Sequence, residues 1–543
     1  MFLPYQPLLG VIRLGDIKAS AASISQRLSS MESLRSEHVE VWRKCMQYSF
    51  PLLQHGFFGE IVTAENGLAE LSRLNDSTTT EAVRTWASHM ISGMTPSNAI
   101  WFGLHMSGQD DEEKRFLSQS ARVIWENIHN SNFDSLAFEA MIYAATAGWF
   151  VLYIDEDKDG GYHFELWPIS ECFISSSRPG QPIDTVYRKF KLRADQAMTE
   201  YGDACSEKIK EAIANNKPHE QFSFIHAVYP REDGDPNARF AKNLPIASVH
   251  IDCTNKSVLR ESGYHEMPCC VPRYTLIPGS PYPVGPVYDA LPDAATLNKI
   301  KEMEFANLDL AIGGMWIAED DGVINPRSIK IGPRRVIVAN SVDSMKELRS
   351  SADFNIAFMS EDRIQAQIRK IMLADILPPV EGQPRTATEI NERIAWLRQM
   401  LGPIYGRMES EYLQIMIERC FGLALRAGAL GMPPESMGGR SWHVKYQSPL
   451  ARAQKVSEVA AIDQYVGGLM SVAQQDPSVM DNVDLDKTAR YRGEALGVPA
   501  ELIPTEKDIE KRRVQRQQMQ QEQKQDQMAE ELQLEAGKKA MER

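Results

Sequence analysis

Asp155, Asp157, Asp159 and Gly160, within WFVLYIDEDKDGGYHFELW (Trp149 to Trp167), imitate the start of a calcium-binding loop. Such a loop needs a bidentate glutamate at its closing position and a helix on either side. Here the closing position is Leu166, with Glu165 one place early, and both flanks are apolar, aromatic runs of strand character. A solvated hairpin turn, for which Asp and Gly are suited, is the preferred reading. Phosphate chemistry finds no better footing. The Gly-Lys pair at Gly537-Lys538 is followed by Lys539 in a polar tail with no strand before it. Gly-x-Ser-x-Gly, His-Glu-x-x-His and the dinucleotide Gly-x-Gly-x-x-Gly pattern are absent, and isolated Ser, His and Asp residues carry no catalytic weight without geometry. The seven cysteines (Cys45, Cys172, Cys205, Cys253, Cys269, Cys270, Cys420) are scattered, with no Cys-x-x-Cys pair, which suits a reducing compartment. No catalytic residue, metal or cofactor is expected.

The elements that would carry any site must be several, because 543 residues exceed one compact core and a prior of roughly 150 residues per domain gives three or four units. With 43% hydrophobic and 24% charged residues the chain has the composition of a folded protein. A formal charge of −14 argues against a surface that wraps nucleic acid, since phosphate neutralisation needs clustered Lys and Arg. A DNA partner would be one to let past. The opening MFLPYQPLLGVIRLGD lacks a basic lead, and no run of about 18 apolar residues occurs, so neither secretion nor membrane insertion is expected.

Along the chain, Ile24, Leu28, Met31, Leu34, Val39 and Trp42 recur at roughly helical spacing and predict one long helix from Ser20 to Tyr48, stopped by Pro51. A second helix starts at Thr78, with Thr78 and Glu81 spaced as a capping box, and ends near Gly93. Strands are expected at Trp101 to Leu104, in the hairpin from Trp149 to Trp167, and at Thr185 to Leu192, Phe222 to Tyr229 and Ala247 to Ile251. Residues 100–280 thus read as an α+β module. PGSPYPVGP (Pro278 to Pro286) marks a boundary. Beyond it come a helix from Pro292 to Ile312 ended by Gly313-Gly314, a small β-insert (Met315 to Ile317, Ile329 to Ala339), and a second helix, Ser360 to Leu377, stopped by Pro378-Pro379. From Thr386, with Glu389 as its capping partner, Ile390, Ile394, Leu397, Leu401, Ile404 and Met408 form the seam of a long helix that Gly402-Pro403 should kink. After Pro504 the chain is glutamine-rich and polar and reads as a fraying helix.

Three blocks carry a resemblance. PRTATEINERIAWLRQMLGPIYGRMESEYLQIMIERCFGLALRAGALGMPP (Pro384 to Pro434), YQSPLARAQKV (Tyr446 to Val456) and DSTTTEAVRTWASHMISGMTPSNAIWFGL (Asp76 to Leu104) resemble, in order, segments of the portal (head-to-tail connector) proteins of T7-like, short-tailed bacteriophages. PYPVGP (Pro281 to Pro286) departs from the Tyr-Gly-Arg-x-Pro turn usual there, with Pro283 and Val284 breaking the pattern. The resemblance implies a mainly α fold with an α+β wing, assembled as a ring of about twelve copies by a closed heterologous interface. It would divide the chain into a wing (1–285), first stem helix (286–313), clip (314–355), second stem helix (356–377), tunnel loop (378–385), long kinked wing helix with return strand (386–450) and crown (451–543).

On that mapping, Glu381, Gln383 and Arg385 of the tunnel loop would face double-stranded DNA, and a weakly charged loop suits a conduit because each phosphate contact adds affinity. Lys330, Arg334 and Arg335 of IKIGPRRVIVAN would touch DNA or a docked partner at the clip; an exposed strand end kept soluble by basic side chains explains them equally well. Trp101, Trp125, Phe133 and Phe138 read as core, since no basic groove flanks them. The implied partners are further copies of the chain, DNA passing through, major capsid and scaffolding proteins, the terminase large subunit, and tail, adaptor and internal core proteins. The implied location is the capsid vertex of the virion, assembled in the host bacterial cytoplasm, with no membrane. The rival readings are another phage structural protein of the capsid or tail, and an enzyme acting on phage DNA or cell wall.

Overall fold

In a computed structural model the described residues are 21–54, 57, 71–106, 111–158, 160–178, 180–313, 316–318, 345–347, 354–375, 402–437, 442–446, 449–473, 476–496, 498, 504, 508–521 and 523. They are mainly helical, with a substantial antiparallel β region. The chain divides into two compact units, residues 1–95 with 128–422 and residues 96–127 with 423–543.

In the first unit the helix Ala21–Gln47 buries Ile24, Leu28, Met31, Arg35, Val39 and Trp42, a strict three-and-four spacing. Leu34, expected on this face, is instead exposed, because the stripe takes the next position and admits Arg35. That cation is tolerated because its Nη1 donates to the carbonyls of Ile169, Ser170 and Cys172 at 3.3, 2.7 and 3.0 Å, while the guanidinium lies 4.0 Å from the centre of the Phe173 ring. The helix Thr78–Met94 lacks the expected capping box. Asp76 supplies the acceptor instead, taking the Thr78 N–H at 2.8 Å on Oδ1.

The strands are β1 (Phe102–Met106), β2 (Val151–Glu156), β3 (Tyr162–Trp167), β4 (Cys172–Ser175), β5 (Thr185–Arg193), β6 (Gln221–Pro230), β7 (Ile246–Asp252), β8 (Ser257–Tyr264) and β9 (Cys269–Cys270). β4 to β8 form a five-stranded antiparallel meander in sequence order, and β3-β2-β9 a smaller sheet. Alternation along β6 decides both faces: Ile225 and Ala227 pack under the first helix, while Phe222 and Phe224 meet the helices Ala194–Tyr201 and Glu207–Ala214. The hairpin β2–β3 is the one expected within Trp149 to Trp167, its turn carried by Gly160 and Gly161 at φ of 91° and 95°.

At the boundary, Tyr282 is buried against Trp42 and Trp149, with ring centroids 5.3 and 5.6 Å away. Pro283–Val284 then pairs as a short antiparallel strand with Thr275–Leu276, and Pro286 is the first residue of the helix Pro286–Gly313. The helix therefore begins six residues before the expected Pro292, which lies inside it. Pro292 and Tyr288, whose carbonyl loses its partner, are both exposed, so water can replace the missing N–H. Two glycines permit the close approach: a Cβ on Gly148 (φ +89°) would lie 2.4 Å from the Val284 carbonyl carbon, and one on Gly285 2.3 Å from the Ala145 oxygen.

The helix Pro286–Gly313 leads into a strand, Trp316–Ala318, paired antiparallel with Met345–Glu347, and the helix Phe354–Ile371 follows. This second helix stops well before Pro378: Leu373 turns left-handed at φ 54°, and the N–H of Ala374 closes onto the Arg369 oxygen at 2.8 Å. The expected strand Ile329 to Ala339, the tunnel-loop segment and the helix start at Thr386 lie outside the described residues. From Gly402 the chain is helical to Arg426, and Glu409–Leu413 within it winds as a π-turn.

In the second unit β1 pairs antiparallel with Trp442–Tyr446, Phe102 opposite Tyr446 and Met106 opposite Trp442. Helices Pro449–Ala473 and Leu485–Leu496 follow, tied by Arg492 to Asp463 at 3.0 Å, and residues 508–521 form an exposed helix. Of the four aromatics read as core, Trp101 and Phe133 are buried, and Trp125 and Phe138 are half-buried.

Gly148→Ala and Gly285→Ala should each lower stability by roughly 2–4 kcal/mol, as overpacking against backbone does, whereas Gly161→Ala, open above its Cβ position, should cost only about 1 kcal/mol. Denaturant unfolding followed by tryptophan fluorescence checks the ranking; equal losses at all three positions would contradict it.

Candidate functional site

Within the first unit a buried ion pair joins the chain just past β9 to the π-turn. Arg273 and Glu411 have side chains 6% and 5% exposed. Glu411 Oε2 accepts from the Arg273 backbone N–H at 3.1 Å and from Nε at 3.0 Å, and Oε1 accepts from Nη2 at 2.5 Å. Nη2 also donates to the Gln181 carbonyl at 3.1 Å, and Arg407 donates through Nη1 to the Tyr274 carbonyl at 2.5 Å. The carboxylate is thus filled, as a buried charge requires. The π-turn also places Tyr412 in the core, edge-on to Phe150 at 5.1 Å.

Two turns on, Arg419 meets Asp155 at 3.6 Å and Glu266 at 3.4 Å and lies 4.9 Å from the centre of the Tyr264 ring. Gly422 leaves space for the Glu266 carboxylate, which a Cβ would meet at 2.2 Å. Asp155 also accepts from the Tyr153 hydroxyl at 2.7 Å. The first carboxylate of the calcium-like run is thereby engaged in packing, and Asp157 closes the turn through the Gly160 N–H to its carbonyl at 3.1 Å. Asp159 lies outside the described residues. No cluster of His, Cys, Asp and Glu able to hold a metal is present among the described residues.

In the meander, His226 and His250 sit opposite each other on β6 and β7, their rings stacked at 3.9 Å. Arg260 donates through Nη2 to His250 Nε2 at 3.1 Å, so Nδ1 carries the hydrogen given to the Tyr201 hydroxyl at 2.9 Å. His226 hydrogen-bonds Ser248 at 2.9 Å through Nε2 and packs against Tyr153 and Trp167. Burial, then Arg260, pushes His250 down to about 3; burial, then His250, Arg260 and Arg188, pushes His226 well below the usual value. Both rings are neutral packing elements. Burial likewise raises the thiols of Cys45, Cys172, Cys269, Cys270 and Cys420, leaving them protonated and unreactive.

The paired helices carry their own polar seam. Lys301 is shared between Glu304, at 3.3 Å, and Glu361 of the second helix. Gln365 bridges Glu361 and Asp76, each at 3.1 Å, and Asn298 takes the Asn75 N–H at 2.7 Å. These contacts tie the helix pair to the start of the helix Thr78–Met94. The six residues singled out from sequence, Lys330, Arg334, Arg335, Glu381, Gln383 and Arg385, lie outside the described residues. Sequence reasoning missed Arg35, Arg273, Glu411, Arg419 and the histidine pair, because their partners are far apart along the chain and no local spacing announces them.

A helix pair joined through an antiparallel β connection, in one unit with a large antiparallel module of strands and helices whose buried ionisable groups are engaged in packing, defines a structural class. Residues 21–503 match the family described as bacteriophage head to tail connecting protein, and the chain belongs to it; its members are structural rather than catalytic. Among its relatives is the probable portal protein of Bordetella phage BPP-1, 27% identical over 502 residues covering 88% of this chain and 87% of the relative. Another is the portal protein of Salmonella phage epsilon15, 24% identical over 460 residues, 80% of this chain and 81% of the relative. A solved structure, the neck of an empty GTA particle computed with C6 symmetry, aligns over 74% of this chain and 92% of its own at 14% identity, with a TM-score of 0.35.

Removing one partner of the deep pair, by Glu411→Gln or Arg273→Met, should cost about 3–5 kcal/mol, against about 0–1 kcal/mol for Glu126→Gln, which breaks the exposed pair with Arg122. Urea titration of the three variants checks this. The depressed histidines set an acid sensitivity: the unfolded chain takes up protons below about pH 6.5, whereas folded His250 does so only near 3, so stability is present above 6.5 and lost as pH falls through that window. Going from pH 7 to 5 should remove about 2 kcal/mol through His250, and His250→Asn should flatten the stability-versus-pH curve. A slope unchanged by that substitution would assign the acid sensitivity elsewhere.

Proposed function

We propose that this chain is the portal subunit of a short-tailed phage. Copies of it close a ring, at one capsid vertex of the virion, around a channel through which double-stranded DNA enters during packaging and leaves at ejection. The observation that carries the reading is the helix Pro286–Gly313, the antiparallel pair Trp316–Ala318 with Met345–Glu347, and the helix Phe354–Ile371, in a chain matching the connector family over residues 21–503. In this reading the two helices are the stem and the β connection the clip, residues 378–385 line the channel through Glu381, Gln383 and Arg385, and residues 451–543 form the crown. Lys330, Arg334 and Arg335 are assigned to the clip surface, where a packaging terminase docks first and tail proteins later. Scaffolding and major capsid proteins would meet the wing.

The mechanism is geometric. A ring with mixed, weakly charged channel residues lets DNA slide, because a cationic lining would add salt-dependent affinity at every phosphate. The formal charge of −14 accords with a conduit that repels the duplex from its walls.

Negative-stain electron microscopy of the purified chain should show rings with a central hole, as a heterologous interface that closes requires, with the roughly twelve copies of the portal reading. Monodisperse monomers, even with scaffolding and capsid protein supplied, would overturn the reading.

A further inference from the structure

The connection between β6 and β7, residues 231–245, is far longer than the roughly 2–5 residues that close most hairpins. It is nevertheless tightly built. Arg231 donates through Nη1 to the Leu244 carbonyl at 3.1 Å and through Nη2 to Glu261 at 3.2 Å and the Ser262 carbonyl at 3.0 Å. Asp235 N–H donates to the Asn243 oxygen at 3.0 Å. Gly234 lies so close to Pro245, and Gly263 to the Ala241 oxygen, that a Cβ on either would come within 2.4 Å. The effect of this bracing is to hold Phe240 out at 62% exposure, with Arg239 and Lys242 exposed beside it. A braced loop that displays one aromatic between two cations is the composition of an interface anchor rather than of a solvated turn.

The complementary surface lies on the same chain. At the start of the helix Pro286–Gly313, Tyr288 is 44% exposed and Pro292 is exposed one turn later. Asp289 is exposed and Asp293 partly so, at the same one-turn spacing. An aromatic and a proline flanked by two carboxylates match a phenylalanine flanked by two cations, and both surfaces face solvent within one copy. We propose that Arg239, Phe240 and Lys242 of one copy dock on Tyr288, Asp289, Pro292 and Asp293 of the next. This is a heterologous contact, knob to strip, of the kind that propagates around a ring. It rests on the ring reading above and adds to it a specific pair of surfaces.

The test is charge reversal with rescue in the full-length chain, read as the concentration of half-assembly by sedimentation velocity and mass photometry. Arg239→Glu with Lys242→Glu, and separately Asp289→Lys with Asp293→Lys, should each raise that concentration roughly tenfold or more, while all four changes together should restore it to within about threefold. In parallel, Phe240→Cys and Tyr288→Cys placed on different, mass-distinguishable copies should be joined by a short bis-maleimide only when mixed, which remains readable if a reversal variant misfolds. Assembly unaffected by either reversal, no rescue by the fourfold variant, or no cross-link between mixed copies that do form rings would overturn the docking and leave the ring reading standing. A wild-type chain that never assembles would count against the ring reading itself.

Discussion

The Arg273–Glu411 pair is the contact on which the first unit turns. A guanidinium and a carboxylate taken fully out of water are tolerable only if every donor and lone pair is occupied. Here the Arg273 backbone N–H, Nε and Nη2 fill the Glu411 carboxylate, and Nη2 also reaches the Gln181 carbonyl. To bring Glu411 to that point the helix Gly402–Arg426 must accommodate one residue more than α-helical winding allows, which is what its π-turn does. The same turn buries Tyr412 against Phe150, and two turns further on the helix sets Arg419 against Asp155 and Glu266. One ion pair thus fixes how a late helix seats on strands that precede it by more than a hundred residues.

The rest of the unit follows a similar economy of position. Arg35 closes the carbonyls of the turn before β4, the histidine pair is clamped between Arg260, Tyr201 and Ser248, and Lys301 joins the two long helices through Glu304 and Glu361. Each of these charged or titratable groups is engaged with protein partners, which stiffens the unit at the points where helices meet the sheet. Such internal pairing suits a structural protein of the connector family more than a reactive site would.

The sequence carried the elements and their order far better than their ends. The first helix, the β2–β3 hairpin and the strands β5, β6 and β7 stand where apolar periodicity put them, because a stripe of three-and-four or alternate spacing is a local property. Ends depended on partners elsewhere. Pro292 looked like a helix start, but the chain before it is packed against Gly148 and the end of the helix Phe133–Thr146, so the helix begins at Pro286. Pro378 looked like a helix stop, but Leu373 had already turned the backbone. Thr78 and Glu81 had the spacing of a capping box, and Asp76 took the N–H first.

What the sequence by itself determined is the outline: an α+β module before a proline-rich boundary, two helices around a small β-insert, and three ordered blocks that resemble segments of phage connectors. Periodicity, turn residues and local motifs are enough for that, since each depends on neighbours a few residues away. Only the tertiary structure decided which polar residues go inside. Leu34 and Arg35 differ by one helical step, and packing against β4 turned the leucine out and the arginine in. The pairing of β1 with Trp442–Tyr446, of Arg273 with Glu411 and of His226 with His250 joins segments that carry no mutual signal along the chain. Their partners are set by burial, where an unfilled hydrogen bond or charge costs several kcal/mol, about the margin by which a fold is stable.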